Sequence, residues 1–293
     1  MNHNELPDFF ILGVQKAATS TIHSILDQDS QFSLPYRKET HFFSENYDKK
    51  LSWYLKQYNN SKSTIRGEVD PSYIFYKDAP INIKKYISNP KFIIIFRKPI
   101  DRAYSHYLMS KSRGYEKNSF NEALKLENER LSDNVNFSYS HHSYLLRSSY
   151  TEQIIRYKRV FPNSEFLFLK YDDFININSR LSFIKEIYKF LDITFNENLN
   201  LSINENSAFS TKNKFIRDLT HTDNFLRNVF KKLVPTEYFR FKILNKIKEF
   251  NRKDIVVKNL NYGELDRDFI KWNNKQSNLL FKEFGVNTKD WII

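Results

Sequence analysis

With 293 residues and no cysteine, the chain is long enough for one large domain or two small ones, and disulfides and thiolate chemistry are excluded. Five glycines and eight prolines are few beside 16% aromatic residues, which points to a compact body packed with Phe and Tyr, expected as a single domain over residues 1–293. The formal charge of +12 suits an anionic partner (nucleic acid, acidic glycan or phosphorylated small molecule) without choosing among them, and no apolar run nears the roughly 18 residues of a membrane span.

The segment up to Pro7 has neither the basic nor the apolar region of a signal peptide, so a cytoplasmic address is expected. Phe9-Phe10-Ile11-Leu12, bounded by Gly13, reads as a buried parallel strand, and Ser20 to Leu26 as the start of a helix. The loop between them brings a helix N-terminus, one lysine (Lys16) and three hydroxyls (Thr19, Ser20, Thr21) to one place, with Gln15, Ala17 and Ala18 supplying backbone N–H groups. Such a loop can hold a phosphate. The alternative is a plain strand–helix turn with a solvated lysine. The loop departs from the triphosphate pattern G-x-x-x-x-G-K-[ST], because Ala18 and Thr19 stand where the second glycine and the lysine belong.

Asp27 to Pro35 reads as a polar turn. Glu39 and His41, two apart in an extended segment, would share a face, with Phe42 and Phe43 anchoring them in the core. They can form a general base with a positioning partner, or an exposed glutamate and a satisfied histidine. Tyr47 to Tyr58 is expected as an amphipathic helix, Arg66 to Pro71 as a short strand or turn, and Ile81 to Ser88 as a short helix ended by Asn89-Pro90.

Phe92 to Phe96 is a second buried strand, with Arg97 at its carboxyl end, where open α/β sheets bind ligands. Pro99 suits the first turn of the following helix, which carries Ser105. A guanidinium beside a hydroxyl makes a second phosphate site, so the two strands together suit a ligand with phosphates at both ends. Phe120 to Arg130 is expected as an exposed helix, Asp133 to His142 as a polar loop, Ser149 to Val160 as a helix, Glu165 to Leu169 as a third buried strand, and Leu181 to Leu191 as a helix. His141-His142 lacks the companions of a metal site. Asn204 to Arg217 is basic and hard to read. Phe225 to Asn251 and Glu264 to Phe284 carry helical apolar spacing.

The stretch Gly13 to Thr21, with its early lysine, resembles the loop that sulfotransferases use for the 5′-phosphosulfate of 3′-phosphoadenosine 5′-phosphosulfate (PAPS). Arg97-x-Pro99-x-x-Arg102-x-x-Ser105-x-Tyr107 resembles their 3′-phosphate motif. Glu39-Thr40-His41-Phe42-Phe43 resembles the E-x-H-F-F segment of heparan sulfate glucosaminyl 3-O-sulfotransferases and related carbohydrate enzymes, and Glu68-Val69-Asp70-Pro71-Ser72-Tyr73 their next substrate loop. In the heparan enzymes a lysine follows that glutamate; here Val69 holds its place. The order persists to the closing stretch from Phe284 and Gly285 to Asp290 and Trp291.

The resemblance implies a three-layer α/β fold, a P-loop-like parallel sheet flanked by helices on both faces. It implies sulfuryl transfer from PAPS, leaving 3′-phosphoadenosine 5′-phosphate (PAP), to a hydroxyl or less readily an amine of a carbohydrate, with anionic polysaccharide among the candidates. Lys16, Glu39 and His41 would be catalytic, with Glu39 as base. Residues 15–21, Arg97, Ser105, Tyr150, Lys212 and Lys214 would bind the nucleotide, and Glu39, His41, Glu68, Asp70 and Tyr73 the acceptor, beneath a 133–142 loop. No metal and no specific nucleic acid are expected. A small-molecule kinase would need a lysine in the triphosphate position. A non-catalytic nucleic-acid or glycan binder would explain the charge but not two ordered anion motifs.

Overall fold

The computed structural model describes residues 5–58, 65–132, 136–203, 209–211, 236–254 and 259–293. At its centre a five-stranded parallel sheet has the order β2-β3-β1-β4-β5. Its strands are β1 (Phe9–Gly13), β2 (Phe32–Ser33), β3 (Ile65–Val69), β4 (Lys91–Phe96) and β5 (Phe166–Lys170). Consecutive strand side chains point to opposite faces, yet Phe9 to Leu12 and Phe92 to Phe96 are all fully buried. Both faces of the sheet are therefore covered, which gives the expected layered α/β fold.

The helices of the first half are α1 (Thr19–Leu26), α2 (Lys50–Leu55), α3 (Ala79–Lys84), α4 (Pro99–Ser112), α5 (Phe120–Lys125), α6 (Glu127–Ser132) and α7 (Asn136–His141). After them come α8 (Tyr150–Val160), α9 (Tyr171–Ile175) and α10 (Arg180–Phe190). Aromatic rings fill the space between the layers. Phe10 lies edge-on to Phe43 and stacks on Phe92, while Phe42 stacks on Tyr54 at 4.7 Å.

From β1 the chain moves outward to β2 and returns through β3; from β4 it moves the other way to β5. The order thus reverses between β1 and β4, and their carboxyl ends border the crevice where such sheets take ligands. Val14 N donates to Ile95 O at 2.7 Å, which keeps the two strand ends together as β1 becomes a loop.

The expectation of one domain over 1–293 meets two compact units in the structure. One comprises residues 1–107, 119–206 and 260–293, the other 108–118 and 207–259. Within the second, β6 (Phe209–Thr211) pairs antiparallel with β7 (Arg252–Asp254), and α11 (Glu237–Phe250) leads into β7. In the first, α12 (Arg267–Phe284) ends on Gly285, whose φ of 70° and N–H bond to Phe281 O close the helix. Asn273 in the middle of α12 accepts from Ile100 N at the start of α4 and donates to Trp291 O, and Trp291 Nε1 donates to Asp172. The closing stretch is thereby tied to the helix that follows β4. No helix among the described residues is long and apolar enough to cross a membrane.

Several elements differ from expectation. Residues 136–141 are helical rather than loop, because tertiary contacts outweigh their polarity: the Arg147 guanidinium donates to Tyr139 O near the end of α7. The 120–130 helix breaks at Leu126 into α5 and α6, and α5 starts on a Ser119–Glu122 capping box. The turn over 27–35 hides the short edge strand β2. Residues 225–235 of the expected 225–251 helix lie outside the described residues.

Gly67 on β3 faces the ring of Phe9, and an added Cβ would fall 2.1 Å from its carbons. With Phe9 fixed in a full core, Gly67→Ala is expected to cost about 1–3 kcal/mol in urea unfolding; an unchanged midpoint would mean that the ring moves aside freely.

Candidate active site

The loop after β1 is shaped by three left-handed residues. Gly13 has φ 132°, and a Cβ there would press on the Pro71 backbone at 3.3 Å. Lys16 (φ 75°) and Ala18 (φ 58°) alternate with Ala17, a pattern that aims N–H groups into a concavity, although Ala17 N itself is spent on Val14 O at 3.1 Å and not on a ligand. Ala18 caps α1 and has no side chain to offer the first N–H groups of the helix, so these and the positive dipole end face the same point. Ala17, Thr19 and Thr21 are buried, Ser20 and Lys16 half-buried, and the buried Gln15 Oε1 has no hydrogen-bond partner among the described residues.

Arg97 leaves the end of β4 and donates from Nη1 to the Lys16 carbonyl at 3.0 Å. Its guanidinium lies over the ring of Tyr171, 4.6 Å from the centroid, just past β5. Tyr150 is buried, and its hydroxyl donates to Arg97 O at 2.9 Å, so it supports the arginine backbone rather than offering a face to a ligand. Ser105 is half-buried in the second turn of α4. The two anion motifs thus meet at the reversal point of the sheet. Lys212 and Lys214 lie outside the described residues.

Glu39 and His41 present themselves differently from expectation. The segment is not extended: Glu39 (φ 64°) and His41 (φ 52°) are both left-handed, costly for residues other than glycine. A buried network holds them. Thr40 donates from N (3.1 Å) and Oγ1 (2.6 Å) to Glu68, which also accepts from Tyr54 (2.7 Å) and Tyr73 (3.1 Å). Asp70 accepts from His41 N (2.8 Å) and Ser72 N (3.0 Å), and its carboxylate lies 2.8 Å from His41 Nδ1, within ion-pair distance though not aligned as a hydrogen bond. Glu68, Asp70 and Tyr73 are fully buried, so the expected direct contact with an acceptor gives way to a supporting position: their polar atoms are spent on the turn that displays Glu39 and His41.

Burial, then the neighbouring Asp70, pushes the Glu68 carboxyl up to about 7 despite its donors. Burial is the largest single influence on His41 and would lower it, but the Asp70 carboxylate together with the charges of Glu39 and Glu45 outweighs it and raises the imidazole to about 9. Glu39 keeps a third of its side chain exposed and pairs with Lys38. Both lie close to His23 of α1, which burial and then Lys38 depress to about 4 while Glu39 pulls the other way. The carboxylate therefore stands against the helix that begins at the anion loop. His106 is fully buried, and burial followed by Arg102, Arg147 and Lys16 lowers its affinity for a proton far below that of an ordinary imidazole, which makes it a poor base. His142 is buried beside Phe137, and among the described residues no group of three or more His, Asp or Glu is placed to hold a metal ion.

Residues 6–258 match the family model described as the sulfotransferase domain. The chain belongs to the sulfotransferase family. Over 166 residues it is 30% identical to mouse (Mus musculus) heparan sulfate glucosamine 3-O-sulfotransferase 3B1, covering 56% of this chain and 41% of that protein. Over 194 residues it is 30% identical to mouse heparan sulfate glucosamine 3-O-sulfotransferase 5, covering 64% and 54%. The chain thus spans about half the length of these curated relatives. Its fold is similar to a crystal structure of a sulfotransferase from Alicyclobacillus acidocaldarius, with a TM-score of 0.60 at 23% identity over 73% of this chain and 90% of that one.

Within this sulfotransferase domain, sequence reasoning missed Tyr171 and the His41–Asp70 pair. Tyr171 follows directly on β5, so the rule that pointed to Arg97 after β4 also pointed to it. Nothing in the spacing signalled a pairing between a residue at the end of β3 and a turn 29 positions earlier.

The raised Glu68 carboxyl fixes a sign. Folded, it holds its proton from its ordinary 4.5 up to about 7, so its contribution favours the fold below that window and is lost as pH rises through it. Tyr54→Phe removes one donor to the ionised carboxylate and should cost about 1–3 kcal/mol in urea unfolding at pH 8.5 but less at pH 5.5; equal costs at both would contradict the ionisation.

Proposed function

We propose that the domain transfers a sulfuryl group from PAPS to a hydroxyl of a carbohydrate, with acidic polysaccharide among the acceptors. The observation that carries this reading is the 3.0 Å bond from Arg97 to the Lys16 carbonyl, which puts two anion motifs at the ends of adjoining strands, within reach of one doubly phosphorylated nucleotide. The curated relatives, named as heparan sulfate 3-O-sulfotransferases, favour a glycan acceptor. The loop's alternating left-handed residues and its uncapped helix start suit the donor's phosphosulfate end.

PAPS, as donor substrate, supplies sulfur already bonded to a good leaving group. Glu39 takes the acceptor's proton as the acceptor oxygen bonds to sulfur and the bond from sulfur to the 5′-phosphate oxygen breaks. The electron pair of that bond stays on the departing oxygen, so negative charge grows there. Lys16 and the loop N–H groups face that charge and stabilise it more in the transition state than in the ground state. Arg97 and Ser105 hold the 3′-phosphate, the group that separates PAPS from ATP. Tyr150 and Tyr171 keep Arg97 in place from either side.

Transfer from sulfur-35-labelled PAPS over a panel of heparosan-like and bacterial glycans tests the reading; no transfer to any of them would count against it. Lys16→Ala should lower kcat by about 10²–10³, the usual effect of losing one charge-stabilising donor, and near-normal rates would reject its role. Arg97→Ala should weaken binding of PAP at least about tenfold while binding of AMP changes little, as removal of a charge-assisted bond to one phosphate requires. Equal losses for both nucleotides would move the 3′-phosphate elsewhere.

A further inference from the structure

Asp70 is fully buried at the end of β3, and among the described residues its one ion pair is with His41. A carboxylate taken out of water needs a counter-charge or must keep its proton. Glu68, two residues earlier and equally buried, is satisfied by hydroxyl and N–H donors. For Asp70 a second source of positive charge, Arg147, acts from a distance; its guanidinium is stacked 4.0 Å over Phe75 and bonded to Tyr139 O and Ser143. The remaining charges that face His41 are Glu39 and Glu45 of its own segment, both acidic. The backbone leaves the imidazole little choice of position: His41 N is bonded to Asp70, and His41 O accepts from Ser44 N and Asn46 N.

We propose that Asp70 is a positioning residue that holds His41 as an imidazolium beside Glu39, leaving Glu39 as the proton acceptor of this segment. The inference rests on the sulfuryl-transfer reading for the identity of the reaction, but not for the pairing itself. In the transfer step the hydroxyl proton passes to Glu39, the acceptor oxygen–sulfur bond forms, and the electrons of the broken sulfur–oxygen bond leave with the nucleotide. An imidazolium has no lone pair for that proton. It offers an N–H donor and a positive charge instead, to an acceptor oxygen or to the sulfonate, so His41 binds and orients. The site would then have a fixed cation on its acceptor side as well as Lys16 on its donor side. The ring is about a quarter exposed, enough to reach a ligand from its pocket.

The test is an NMR titration of the imidazole nitrogens in the full chain, with His41 assigned by its loss in His41→Gln, run beside pH profiles of kcat/KM. In the wild type, His41 should titrate near 9, and in Asp70→Asn at or below the ordinary value near 6.5. At pH 8 the charged fraction would then fall about thirtyfold, and kcat/KM with it, while at pH 6 the two proteins should differ far less. PAP binding by Asp70→Asn serves as the check that it folds. If that variant does not fold, the wild-type titration decides alone. A wild-type His41 titrating near 6.5, or a profile that Asp70→Asn leaves unmoved, overturns the proposal. Absence of transfer with every glycan, together with a His41 that titrates near 9, would overturn the sulfuryl-transfer reading and leave the pairing standing.

Discussion

The bond from Arg97 Nη1 to the carbonyl of Lys16 joins the loop after β1 to the end of β4, and most of the site depends on it. Its existence follows from topology. Strands β1 and β4 are parallel neighbours, held in register from Phe9↔Lys91 to Ile11↔Ile93, so both chains leave the sheet at the same edge. Because the strand order reverses between them, no crossover helix fills the gap, and the two loops are free to approach each other. Aromatic packing then fixes the arginine: Tyr171 lies under the guanidinium and Tyr150 anchors its carbonyl.

Beside this donor half, β3 supplies the support for the other. Glu68 and Asp70 stand on one face of the strand end and draw the Thr40 and His41 backbones onto the sheet. Two non-glycine residues in left-handed conformations are each costly, of the order of 1 kcal/mol or more. The hydrogen bonds from Thr40 to Glu68 and from His41 N to Asp70 hold the turn against that strain. The turn is thus over-determined by its foundations, and Glu39 is displayed by a rigid scaffold, not by a mobile loop.

The strands, the turn after β1 and the arginine beyond β4 were legible because their causes are local: unbroken apolar runs, a glycine where the first run ends, an arginine where the second does. The supporting positions were not. Glu68, Asp70, Tyr73 and Tyr150 sit in segments whose spacing suits a binding face equally well, and only burial separates a residue that touches a ligand from one that holds the residue that does. The fate of α7 has the same origin. Its sequence is polar, and the contact that braces it, from Arg147 beyond its end to the Tyr139 carbonyl, leaves no mark in local spacing. The second unit was hidden for a different reason: its contributing segments, 108–118 and 207–259, are far apart in sequence and share no compositional boundary.

Charge is distributed unevenly about the site, in a direction that suits the proposed reaction. Arg97 bonds to the Lys16 carbonyl and its charge reaches Arg102, while burial with Arg102, Arg147 and Lys16 denies His106 its proton. Arg102 is itself buried with one terminal nitrogen lacking a partner among the described residues, and burial lowers it to about 10, so its charge is retained at neutral pH. Glu39, Glu45 and Asp70 are acids gathered around His41. In sulfuryl transfer a negative charge disappears from the base as it gains a proton and grows on the leaving oxygen of the nucleotide. Moving charge away from acids and toward cations lowers the energy of the transition state relative to the ground state, and because these groups are fixed by the fold, no reorganisation is needed when the reaction occurs. A kinase at the same strand–loop–helix would have to bring a further cation to the triphosphate position that Thr19 occupies, and the cations gathered here are arranged instead around Arg97.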